Sequence, residues 1–135
     1  MSDADVRRFI FDAALTTGRV PLRDEIGDRA AMQRLADAHI VVLDASGEIR
    51  MAMPFSAVPT PFLVRSGDYS AFGNCIWDAL GILAMKEADG VVEASCGCCG
   101  DAMPLRVRGG VLEDTTGVVH YAIPARRWWD DICFT

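Results

Sequence analysis

The chain has 135 residues and a mass of 14.7 kDa, enough for one compact domain or two very small units sharing a core. Hydrophobic residues make up 51% and charged ones 24%, which excludes a disordered chain, and no apolar run approaches the roughly 20 residues that a membrane span needs. A formal charge of −6 argues against nucleic acid as a partner, because such binding relies on Lys and Arg neutralising phosphates.

The first stretch, "MSDADVRRFIFDAAL", is acidic and lacks the basic and apolar regions of a signal peptide, so a cytoplasmic protein is expected. Val6, Phe9, Ile10, Ala13 and Ala14 recur at helical spacing and Gly18 offers a stop. In "PLRDEIG", Pro21 suits a first helical position followed by acidic residues. "DRAAMQRLADAHI" predicts a third helix with Ala31, Leu35 and Ala38 on one face. Two apolar runs around Ser46-Gly47 then predict a hairpin. Three helices and a hairpin form a winged-helix-like order over residues 1–53. Its third helix sets Arg29 and Arg34 against Asp28 and Asp37, so a packing or dimerisation role fits it better than DNA binding.

Pro54, Pro59 and Pro61 favour extended chain and mark a boundary, with a second unit over residues 54–135. There the expected elements are a strand near "PFLVR", a helix from about Ala71 to Glu87 capped by Ser70, and a strand at "GVVEAS". A tight loop at "CGCCGDAM" precedes strands at "PLRVRG", "GVVHYAIP" and "DDICFT". The fold class is therefore α+β, a small sheet packed on one long helix after the helical unit.

Five cysteines, Cys75, Cys96, Cys98, Cys99 and Cys133, are an odd set for a reducing compartment, where clustered thiols more often bind metal or do redox chemistry than form disulfides. Cys75 and Asp78 are three residues apart on the predicted long helix, on one face and in its first half, where the dipole favours a thiolate. Cys75 could equally be a small buried apolar residue, but Asp78 among Ile76, Trp77, Ala79 and Leu80 needs partners or a raised pKa. Cys96, Cys98 and Cys99 could hold Hg(II), Cu(I) or Zn(II), or simply shape a glycine-rich turn. On a strand, Cys133 would share a face with Asp131 and Thr135, either as a second thiol toward Cys75 or as core packing. Trp128 and Trp129, with Trp77, are candidates to wall an apolar pocket. His39 and His120 are isolated, and no G-x-G-x-x-G or P-loop spacing occurs, so no organic cofactor is expected.

"NCIWDALGI", "CGCCGDAMPLRV" and "ARRWWDDICF" together resemble the alkylmercury lyase (organomercurial lyase) family across nearly the whole chain. The resemblance implies a mercury-binding thiol at Cys75 and a proton-donating acid at Asp78. It implies a structural cysteine turn over residues 96–100, with Cys99 where the family carries Ser or Thr. It also implies a second catalytic cysteine near position 129 or 130, where this sequence has Trp129 and Asp130. Cys133, Cys98 or Cys99 are the candidate replacements. Protonolysis of carbon–mercury bonds is the activity so implied, with an organometal as substrate and cellular thiols as partners. The alternatives are a non-catalytic carrier or sensor of soft metal, a lyase-like enzyme for another substrate, and a metal-sensing winged-helix regulator.

Overall fold

The computed structural model describes residues 1–113 and 116–133. Helix α1 (Asp3–Thr17) begins with a capping box, in which Ser2 and Asp5 satisfy each other's backbone N–H groups. It ends at Gly18, whose φ of 75° only glycine adopts cheaply. A Cβ at Gly18 would also lie 1.8 Å from the Ser70 carbonyl oxygen, so the end of α1 presses on a later strand. Val6, Ile10 and Ala14 form the buried stripe, while Phe9 of the expected face is 42% exposed.

The second helix, α2, is the single turn Arg23–Ile26. It starts two residues after Pro21, because the Glu25 carboxylate reaches back to the Leu22 N–H and sets the start there. Helix α3 (Arg29–Asp37) is capped by Asp28 through the Ala31 N–H. Ala31, Met32 and Leu35 are buried; Ala38, expected on that face, caps the C-terminus and is exposed. Strands β1 (Val42–Leu43) and β2 (Ile49–Ala52) form the predicted hairpin. Its turn is held by Asp44, whose carboxylate accepts the N–H groups of Ser46 and Glu48. A third strand, β3 (Phe55–Ser56), extends this antiparallel sheet.

The second sheet is antiparallel, in the order β5-β4-β6-β7-β8. Its strands are β4 (Leu63–Ser66), β5 (Tyr69–Phe72), β6 (Gly90–Glu93), β7 (Leu105–Arg108) and β8 (Val111–Leu112). Helix α4 (Ile76–Lys86) covers it through Ala79, Ile82 and Leu83. The long helix was expected to begin near Ala71. Instead residues 69–72 pair with β4 as β5, and the helix starts after Cys75. Residues 117–124, expected as a strand, take no strand or helix, and Ala125–Asp130 form a 3₁₀ helix. Residues 131–133 are bend and turn rather than strand; the rest of "DDICFT", Phe134 and Thr135, lies outside the described residues.

The α+β class is as the sequence predicts. One buried cluster takes in Ile10 of α1, Met32 of α3, Phe55 of β3, Val64 of β4, Ile82 of α4 and Val92 of β6, so apolar residues from both sides of Pro54 share a core. Among the described residues no helix is long and apolar enough to cross a membrane.

Candidate active site

Between β5 and α4 the chain turns through Gly73 and Asn74. A Cβ on Gly73 would lie 2.6 to 2.8 Å from the backbone and side chain of Ala79, so only glycine lets this turn lie flat on the helix. Asn74 Nδ2 donates to the carbonyls of Pro54 and Phe55, at 3.1 Å each, and this ties the turn to the first sheet. Cys75 then takes extended backbone and caps α4: its Sγ accepts the Asp78 N–H at 3.4 Å. Sulfur here stands where Ser, Thr, Asp or Asn is usual. The expectation of Cys75 and Asp78 one turn apart within the helix is corrected to a cap and its third helical residue. The cap geometry brings the sulfur to the positive end of the helix dipole.

Asp78 is half-buried, and burial raises its carboxyl above the ordinary aspartate value; hydrogen bonds with Asn74 and Cys75 pull the other way without cancelling it. A third polar group joins them. The Tyr121 hydroxyl lies 3.7 Å from Cys75 Sγ. Burial, with the Cys75 and Asp78 groups beside it, holds the phenol well above its usual range. Trp128 leans on the Tyr121 ring at 5.0 Å and donates its indole N–H to the Ile123 carbonyl at 2.7 Å. Tyr121 carries no mark of this role in the sequence, since an aromatic hydroxyl within an apolar run gives no signal for a turn over a helix end.

The three tryptophans are placed differently. Trp128 reaches the site through Tyr121. Trp129 stacks on His39 at 3.8 Å and 11°, and Trp77 is 67% exposed. Cys133 is exposed, its sulfur 4.0 Å from the Met51 sulfur on β2. The turn after β6 is closed by Cys96 N–H to Asp101 O and Gly100 N–H to Cys96 O. In it Cys96 is half-buried, while Cys98 and Cys99 are exposed. All five cysteines are free thiols. Among the described residues, no three His, Cys, Asp or Glu side chains gather into a group able to hold a metal ion.

The α+β frame caps a helix with a cysteine and sets a half-buried carboxyl group close to it, so a thiol and an acid share one helix end. The chain belongs to the alkylmercury lyase family, whose model matches residues 55–135. Among solved structures it is similar to one titled "Crystal structure of the mercury-bound form of MerB2", at 22% identity and a TM-score of 0.64. That match covers 84% of this chain and 59% of the other, so this chain spans less than two thirds of its neighbour's length. No curated protein matches the chain.

Proposed function

We propose that this protein cleaves carbon–mercury bonds by protonolysis, with Cys75 as the mercury ligand and Asp78 as the acid. The observation that carries this reading is the Cys75 cap with the Asp78 carboxyl beside it and raised by burial. A soft thiolate binds the organomercurial through mercury and pushes electron density into the Hg–C bond. Asp78, retaining its proton more readily than an ordinary aspartate, delivers it to the carbon. The Hg–C bond pair takes that proton, the hydrocarbon leaves, and Hg(II) stays on sulfur. A second thiolate, from Cys133, from the loop over residues 96–99 or from a small cellular thiol, completes the two-coordinate product. Tyr121, backed by Trp128, covers the sulfur on one side and restricts water there. The setting proposed is the cytoplasm, where small thiols are abundant.

The test is hydrocarbon release from phenylmercury by the purified protein in excess thiol. Wild-type protein is expected to turn over and Cys75→Ser to be inactive. Asp78→Asn should still bind the organomercurial while losing about 10²- to 10⁴-fold in rate, the usual contribution of a general acid. The second reading, a soft-metal carrier, is favoured by the exposure of Cys98, Cys99 and Cys133. It predicts tight binding, no hydrocarbon, and indifference to Asp78→Asn.

A further inference from the structure

The loop over residues 96–100 lies apart from the Cys75 cap in the sequence, and its sulfurs are not core packing. The Ser95–Ala102 bridge and the two backbone hydrogen bonds already described close it at both ends. Around Gly97 and Gly100 a Cβ would meet no atom within 4 Å, so the loop stands in open solvent. Gly100 takes a φ of 76°, which turns the chain back toward Cys96. This closed turn holds Cys96 and Cys99 three residues apart on one short loop, Cys96 at its closed end and Cys99 exposed. The result is a C-x-x-C pair within one closed turn, with Cys98 between them exposed.

What such a pair can bind follows from coordination number. Structural zinc almost always takes four protein ligands. Among the described residues no third Cys, His, Asp or Glu joins this pair. A d¹⁰ ion content with two thiolates has no such need, and softness favours the same ions.

We propose that Cys96 and Cys99 form a second soft-metal site, taking one Hg(II) as a bis-thiolate. Each ion bound replaces the protons of the two thiols, which pass to solvent, and no oxidant or reductant takes part. The pair is accessible, so a small thiol can load or unload it by ligand exchange. The site does not depend on the lyase reading, because its readout is metal capture with Cys75 absent.

The experiment uses the full chain in a Cys75→Ser, Cys133→Ser background, reduced and then titrated with HgCl₂ in the presence of an excess monothiol. Metal kept by the protein is measured after ultrafiltration. One Hg(II) per chain should be retained. Cys96→Ser and Cys99→Ser should each weaken retention about 10²-fold, through loss of the chelate's effective concentration, while Cys98→Ser retains the ion. Circular dichroism of each variant checks that the fold persists; should Cys96→Ser unfold, Cys99→Ser alone decides. Retention unchanged by Cys99→Ser overturns the proposal, as does loss on Cys98→Ser, equal retention of Zn(II), or no retention in the background protein.

Discussion

At Cys75 and Asp78 the local chemistry can be tested without any substrate. Burial holds the Asp78 carboxyl above its ordinary value, so over the interval between its unfolded and folded pKa the folded state binds more protons. Stability contributed by this residue is therefore highest in acid and falls as pH rises through that interval. Glu25 has the opposite sign. Arg19 and the Leu22 N–H hold it at about 2, so its contribution is present above the ordinary glutamate range and is lost as pH falls toward 2. Comparison of wild type with Asp78→Asn removes such common terms. The variant should have the higher urea midpoint at neutral pH, the difference closing below the ordinary aspartate range. A difference that widens in acid would mean Asp78 is held as a stabilised carboxylate, the wrong state for an acid. Tyr121 offers a second local test: with its hydroxyl 3.7 Å from the sulfur and holding its proton, Tyr121→Phe should slow the alkylation of Cys75 by iodoacetamide a few-fold at neutral pH, a contact of about 1 kcal/mol to the thiolate being lost. An unchanged rate would remove Tyr121 from the site.

The elements that place these residues rest on a turn the sequence shows only faintly. Gly73 packs on Ala79 at distances no Cβ allows, so Gly73→Ala should cost about 1–3 kcal/mol by overpacking. Gly97→Ala, where the added Cβ meets nothing, should be near neutral in the same denaturation measurement. The amphipathic helices, the Ser46-Gly47 hairpin and the cores of β4, β6 and β7 were legible because their periodicity and turn residues are local. Strand β5 was not: "YSAF" is as compatible with the first turn of a helix capped by Ser70, and only pairing with β4 decides for strand. Cys75 and Asp78 were legible as a pair from spacing, and their chemistry from the family resemblance. The cap geometry depended on where β5 stopped. The sequence of residues 117–124 suggests a strand, yet the segment runs as irregular chain that carries Tyr121 over the helix end.

Across the whole molecule, two polar pegs hold α1 to the second sheet and its helix. At the end of α1 the Gly18 N–H bonds Ala14 O at 2.9 Å, and the carbonyls beyond it run out of intrahelical donors. Tyr69 of β5 donates its hydroxyl to Ala14 O at 2.8 Å, and Lys86 at the end of α4 donates to Leu15 O at 2.8 Å. Lys86 also lies 3.8 Å over the Tyr69 ring, a cation–π contact. Burial pushes the Tyr69 phenol up to about 12, so the peg stays a donor throughout the neutral range. The pegs and the shared cluster of Ile10, Phe55 and Ile82 join residues before and after Pro54 into one unit. Unfolding of the full chain should therefore be one transition, coincident by near-ultraviolet and far-ultraviolet circular dichroism. Tyr69→Phe should lower the unfolding free energy by about 1 kcal/mol, the worth of one hydrogen bond, and Lys86→Met by a similar amount. In a double-mutant cycle the two should couple, because each holds the other at the same helix end. Two separable transitions, with Tyr69→Phe moving only the first, would instead make residues 1–53 an independent unit that merely rests on the rest. In that case the fixed relation of α1 to the Cys75 helix would have to come from Asn74 and its bonds to Pro54 and Phe55 alone.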